Sequence, residues 1–187
     1  GHQYLNSNQY DWIMSTLGND LIRIIPDFPK PGIVFKDITP LLANADEFKK
    51  VCNQFAQIAD QSEYIAGIEA RGFIFASAVA ALTNKGFIPI RKSGKLPGKV
   101  ISKMYDLEYG KSSLEIHTDI IPAGGRVLLI DDVLATGGTA IAAIDLLKMA
   151  ELNPVCIAFL LEIPALGGRS RIAKAHPDVK IATILAE

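Results

Sequence analysis

At 187 residues the chain has room for one domain with a proper core and too little for two comfortable ones. Hydrophobic residues make up 49% and charged residues 21%, with 19 Lys and Arg against 20 Asp and Glu, so no large field of either sign points to nucleic acid or an anionic membrane. Mean hydropathy is positive, yet no apolar run approaches the roughly 20 residues that a spanning helix needs, and the excess fits strands buried on both faces of a sheet.

Residues 1–20 read as an N-terminal extension, in part tag-derived, to a single domain spanning 1–187. They lack the basic-then-apolar pattern of an export signal, so a cytoplasmic location is expected. Over 11–25, Ile13, Leu17, Leu21 and Ile24 fall on one helical stripe, and the run Pro26–Gly32 ends that helix. A second helix is announced by Asn44 as cap and Glu47 as the partner of a capping box, with Phe48, Val51, Cys52, Phe55 and Ile58 at helical spacing. The grammar then becomes strand, loop, helix. Tyr64–Ile68 is a buried strand before a helix over Gly72–Asn84, and Phe87–Ile90 is the next strand. Arg91–Gly110 has no clean period and reads as an excursion with β-hairpin character. Val127–Ile130 is the most strand-like run, followed by a helix over Ile141–Leu152 and strands over Val155–Leu161 and Val179–Leu185. This alternation predicts an α/β fold: a central parallel sheet with flanking helices, and ligands at the carboxyl ends of the strands. Cys52 and Cys156 lie in apolar segments and are expected to be buried thiols. With no C-x-x-C, and with His2, His117 and His176 scattered, a zinc site is not expected.

The segment Val127-Leu128-Leu129-Ile130-Asp131-Asp132-Val133-Leu134-Ala135-Thr136-Gly137-Gly138-Thr139 carries the chemistry. An apolar strand ends in two carboxylates, and a loop of small residues opens into a helix. Gly137 and Gly138 expose backbone N–H groups, Thr136 and Thr139 add hydroxyls, and the helix N-terminus adds positive potential; together these make a phosphate cradle. Asp131 and Asp132 suit vicinal ribose hydroxyls, or a Mg²⁺ bridging to them. Two acids at the end of a buried strand are costly unless used. Other nucleotide motifs fail: Gly110-Lys111-Ser112 has Tyr105 where a Walker loop needs its first glycine, and neither G-x-G-x-x-G nor G-x-S-x-G occurs.

Strand, acidic pair and Ala-Thr-Gly-Gly-Thr together resemble the 5-phosphoribosyl-1-pyrophosphate (PRPP) signature of the type I phosphoribosyltransferases. Three further segments resemble the adenine phosphoribosyltransferase branch: Pro26–Pro29 with Gly32–Ile38 its base-binding segment, Ala66–Phe73 its pyrophosphate loop, and Arg91–Gly98 with Leu107–Gly110 its mobile catalytic loop. The likeness runs in order from about Leu21 to Leu185. It implies the type I phosphoribosyltransferase fold, with a small hood (21–40 and 160–175) and a mobile β-hairpin loop (91–117) whose residues 92–112 close to exclude water. It implies purine salvage, adenine and PRPP giving AMP and pyrophosphate, with substrate-bound Mg²⁺ and a homodimer.

By the same resemblance Ala135, Thr136, Gly137, Gly138 and Thr139 hold the 5′-phosphate, and Asp131 and Asp132 the ribose hydroxyls. Glu69, Ala70, Arg71 and Gly72 meet the pyrophosphate, possible strain there including a non-proline cis peptide at Ala70–Arg71. Lys92 and Lys95 either join them or are simply solvated. Arg71 and Glu108 are the implied catalytic residues, Glu108 exchanging a proton with purine N7; without the resemblance Glu108 is one acid in a loop. For adenine, the Val34 backbone reads the edge, Phe35 stacks on one face, and Ile163 covers the other or is ordinary core. Lys36 stands where some relatives carry Arg, and lacks the planar fork. Two rival readings are a 6-oxopurine phosphoribosyltransferase, and a nucleotide-sensing regulator, which would need a DNA-binding module or basic face. A pyrophosphokinase relative would need a longer second domain.

Overall fold

The computed structural model describes residues 21–107 and 110–185. Described residues 21–51 form one compact unit and 52–185 another. In the first, strands β1 (Arg23–Ile25) and β2 (Phe35–Asp37) pair antiparallel, Arg23 opposite Asp37 and Ile25 opposite Phe35. The expected helix over 11–25 is therefore absent from its described end, and its residues 11–20 lie outside the described range. Pro26 disfavours the helical region for Ile25, and an extended chain lets Arg23 reach Asp37 in an ion pair. Ile24 is 68% exposed, where the stripe required it buried. Burial alone would hinder ionisation of Asp37, but hydrogen bonds from the Thr39 N–H and hydroxyl and from Arg23 outweigh it and hold its carboxyl below the ordinary value.

The hairpin loop carries a cis Phe28–Pro29 bond, and the Gly32 N–H donates to Asp27 Oδ1 (2.8 Å). After β2 come the short helix α1 (Thr39–Ala43) and α2 (Ala45–Ile58). Asn44 Oδ1 accepts the Glu47 N–H (3.0 Å), so the cap is as expected, but the Asn44 N–H turns back to the Leu41 carbonyl. The reciprocal half of the capping box is thereby taken by the preceding helix.

The second unit is built on strands β3 (Tyr64–Ile68), β4 (Gly86–Lys92), β5 (Val100–Asp106), β6 (Lys111–His117), β7 (Arg126–Leu134), β8 (Asn153–Glu162) and β9 (Lys180–Thr183). Its helices are α3 (Arg71–Thr83), α4 (Gly138–Met149) and α5 (Gly168–Ala175). The sheet runs β5-β6-β4-β3-β7-β8-β9; β4 to β9 in that order are mutually parallel, and β5 and β6 add an antiparallel hairpin at one edge. The sheet is thus mostly parallel; the hairpin starts inside the aperiodic stretch Arg91–Gly110, but its second strand, β6, lies beyond it. Ala66, Ile68, Val127, Leu129, Ile157 and Phe159 join the inner side of α4 in one apolar cluster. Alternate residues Ile65, Leu128, Ile130, Ala158 and Leu160 are just as buried, as a strand covered on both faces requires. Cys52 and Cys156 are buried free thiols. Among the described residues no helix is long and apolar enough to cross a membrane.

From β3 the chain crosses through α3 to β4 on one side; from β7 it crosses through α4 to β8 on the other. The gap between the carboxyl ends of β3 and β7 is therefore the topological switch point. Close packing sets its floor, since a Cβ on Gly67 would lie 2.7 Å from Ala76 Cβ. Gly67→Ala is expected to force α3 off the sheet and lower stability by about 1–3 kcal/mol, read as a lower urea midpoint at unchanged slope.

Candidate active site at the switch point

A cavity of about 420 Å³ opens at this gap, lined by Ile68, Glu69, Ala70 and Arg71 from the β3 side, Asp131, Asp132 and Thr139 from the β7 side, and Lys92, Tyr105, Leu107 and Leu114 from the β4–β6 edge. The acidic pair sits inside β7, not after it, because the strand continues pairing with β8 as far as Leu134. Each acid accepts the next backbone N–H: Asp132 N to Asp131 Oδ1 and Val133 N to Asp132 Oδ1, both 2.8 Å. Asp132 Oδ2 forms an ion pair with Arg71 Nε yet has no aligned hydrogen-bond donor among the described residues. Desolvation, and then the neighbouring negative charge of Asp132, push the Asp131 carboxyl well above its ordinary value. Hydroxyl donors or a cation would relieve both effects.

Two helices start here, and neither has a side-chain cap: α3 follows Ala70 and α4 follows Gly137. Among the described residues the backbone N–H groups of 135–139 have no hydrogen-bond acceptor. Open donors at an uncapped helix start fit a bound anion. The loop's shape rests on glycine. Gly137 has φ +87°, and a Cβ there would lie 2.9 Å from the Gly168 carbonyl oxygen; a Cβ on Gly168 would lie 2.3 Å from that of Ala135. The cradle is thus backed by the first turn of α5, backbone against backbone. Gly72 serves α3 similarly, as a Cβ there would meet the Ile130 carbonyl oxygen at 2.8 Å.

The Glu69 carboxylate is 7% exposed and receives Lys95 Nζ (2.9 Å), Arg91 Nη2 (3.5 Å) and the Lys92 N–H. Burial opposes its ionisation, but these partners win and hold it below the usual carboxylate value. Glu69 thus gathers the basic residues of the neighbouring strand, and Lys95, open to either reading from sequence, is paired here. The cis peptide lies at Glu69–Ala70, one bond before the expected place.

Ile163 is half-buried just past β8, its N–H on the Leu134 carbonyl (2.8 Å). In the other unit Val34 is 57% exposed, Phe35 packs edge-on against Phe28 at 5.1 Å, and Lys36 is half-buried in β2. Glu108 lies outside the described residues. Among the described residues no cluster of His, Cys, Asp or Glu could hold a metal by itself. Sequence reasoning gave no individual role to Tyr105 or Gly168, and placed Leu107 only within the loop segment Leu107–Gly110. The aperiodic hairpin concealed the place of Tyr105 and Leu107 in the cavity wall, and nothing near Gly168 marks it as the wall of a loop about thirty residues upstream.

The phosphoribosyl transferase domain family matches residues 40–185. The adenine phosphoribosyltransferase of Thermobifida fusca is 48% identical over 86% of this chain and 92% of its own length, and that of Trichodesmium erythraeum is 52% identical over 83% and 92%. Among solved structures, the adenine phosphoribosyltransferase of Rhodothermus marinus superposes with TM-score 0.83 at 43% identity, covering 90% of this chain and 95% of that one. The Saccharomyces cerevisiae enzyme, complexed with an imino-altritol bisphosphate and adenine, gives 0.82 at 36% identity over 88% and 94%.

The two loop glycines should behave differently. Gly137→Ala is expected to cost about 1–2 kcal/mol from left-handed backbone alone, plus the collision with Gly168. Gly137→Val, which brings a larger β-branched side chain into the same collision, should be destabilised further. At Gly138 a Cβ meets nothing nearer than the Asp106 carbonyl oxygen at 3.8 Å, so Gly138→Ala should keep its melting temperature within about 2 °C. Calorimetry of the three variants checks this.

Proposed function

This chain belongs to the phosphoribosyl transferase family, and we infer that it transfers the 5-phosphoribosyl group of PRPP to adenine, releasing pyrophosphate and forming AMP. One observation in the site carries the reading: the Asp131–Asp132 pair shares a switch-point cavity with Arg71 and with Thr139, the last residue of the 135–139 loop of open N–H donors. Donors for a phosphate and acceptors for vicinal hydroxyls, side by side, match a ribose 5-phosphate.

On this reading Ala135, Thr136, Gly137, Gly138 and Thr139 take the 5′-phosphate, and Asp131 and Asp132 accept hydrogen bonds from the ribose hydroxyls. Arg71, with the backbone of Ala70 and Gly72 and the ammonium groups of Lys92 and Lys95, receives the pyrophosphate, Glu69 organising the lysines. As the bond from the anomeric carbon to the pyrophosphate oxygen breaks, positive charge grows on the ribosyl centre and negative charge on the leaving group. Arg71 and the open N–H groups stabilise the latter. Val34, Phe35, Lys36 and Ile163 hold adenine for attack on the anomeric carbon, and Glu108 exchanges a proton with N7. Substrate-borne Mg²⁺ fits beside Asp131 and Asp132, whose mutual repulsion it would offset, and it supplies charge neutralisation of the pyrophosphate. The 91–117 hairpin is proposed to close over the reacting atoms, keeping water out.

The protein is proposed to act in the cytoplasm as a homodimer; the outward Ile74 and Leu82 of α3, 37% and 54% exposed, support an apolar contact.

Adenine is expected to be used far faster than hypoxanthine or guanine in an assay with PRPP and Mg²⁺, because the base segment was read as adenine-type. A 6-oxopurine with comparable kcat/KM would overturn the adenine assignment and leave the fold intact. Glu108→Gln should lower kcat by about 10²–10⁴ with little change in KM for adenine, and Tyr109→Phe should cost much less. A kcat within threefold of wild type for Glu108→Gln would remove the proton-transfer role; a rise in base-free PRPP hydrolysis would assign Glu108 to closure instead.

A further inference from the structure

The N–H groups of residues 135–139 make a cradle only if the peptide between Thr136 and Gly137 faces the right way. In a trans peptide the carbonyl and the following N–H point in opposite directions. Held toward α5 by Arg171, the Thr136 C=O leaves the Gly137 N–H facing the opposite way. Turned over, the same peptide would present a carbonyl oxygen to the phosphate, replacing a donor with a repulsive acceptor. Glycine at 137 makes such a reversal cheap, since it occupies left- and right-handed backbone with similar ease.

One side chain holds that carbonyl. Arg171 Nη1 donates to the Thr136 carbonyl oxygen at 2.7 Å, from the first turn of α5. That turn is rigidly placed. Gly168 lies against the loop backbone at Ala135, and the Arg171 N–H bonds the Gly167 carbonyl (3.2 Å). Arg169 fixes the helix to the sheet through Glu162 (2.9 Å), the Ile181 carbonyl (3.2 Å) and the Thr183 hydroxyl (2.8 Å). We propose that Arg171 is a positioning residue for the 5′-phosphate loop, latching the Thr136–Gly137 peptide in its donor-forward orientation. It acts through that peptide and adds a favourable charge behind the cradle. The proposal rests on the reading that residues 135–139 bind the 5′-phosphate.

The test compares AMP with adenosine, which differ only by the 5′-phosphate, by calorimetric titration of the wild-type protein, Arg171→Met and Arg171→Lys. Methionine keeps the stem and the helix propensity but has no N–H donor; lysine restores one. Wild type should bind AMP much more tightly than adenosine. Arg171→Met should shrink that ratio by about three- to tenfold, the worth of one charge-assisted hydrogen bond, with adenosine affinity unchanged. KM for PRPP should rise in proportion while KM for adenine stays within twofold, and Arg171→Lys should recover at least half of the loss on a logarithmic scale. A ratio unchanged in Arg171→Met overturns the latch and leaves the phosphate site standing. Equal loss of AMP and adenosine binding also overturns it, since that marks general damage. AMP and adenosine binding alike to wild type would overturn the phosphate reading itself, and the latch with it.

Discussion

Two carboxylates on consecutive residues near the end of a buried strand repel each other and lose hydration together, and the surroundings of Asp131 and Asp132 are shaped by that cost. The next N–H along the chain serves each acid, and Arg71 is drawn in from the neighbouring turn to face Asp132. These contacts leave Asp131 with a raised carboxyl, so the site gives up energy in advance of any ligand. Hydroxyl donors at that spot repay it, whereas another anion would deepen it. An arrangement of this kind discriminates by charge before it discriminates by shape.

The opposite sign is managed as deliberately. The charges of Arg91 and Lys95 would repel each other and wander if nothing gathered them, and Glu69 does so from the first position after β3, accepting the Lys92 backbone N–H as well. Its own carboxylate stays ionised because those partners outweigh its burial. The cavity is therefore divided into an acidic wall along β7 and a basic wall along β4, joined by Arg71. A substrate with hydroxyls at its middle and phosphates at its ends meets matching groups on each side.

Much of this was legible from residue order, and the limits have physical causes. Strands buried on both faces announce themselves as unbroken apolar runs, so Tyr64–Ile68 was readable to the residue, while Val127–Ile130 was read as a whole strand and is the first half of a longer one. The carboxylates of β7 hid the rest of that strand, because polarity reads as an ending while pairing with β8 continues regardless. At its described end, Leu21–Ile25, the apolar stripe misleads for the opposite reason: a periodicity of apolar residues is satisfied by chance, and pairing with β2, with its Arg23–Asp37 ion pair, makes this end a strand. Asp131, Asp132 and the glycine loop were readable as chemistry. The role of Gly168 was not, as it is defined by what the chain brings behind the loop, and Glu69 shows its role only once Arg91 and Lys95 fold beside it.

The pairing of β3 with β7 matches Tyr64 to Val127, so the two walls of the cavity come from segments that a long excursion separates. The β5–β6 hairpin inside that excursion is local, and its closure costs little chain entropy. Joining β3 to β7 is the long-range step, and until it happens there is no cavity at all. A substrate therefore has nothing to bind in the partly ordered chain and cannot speed the search for the native pairing. It acts afterwards, by mass action on the finished sheet, and what it changes is how slowly the molecule comes apart.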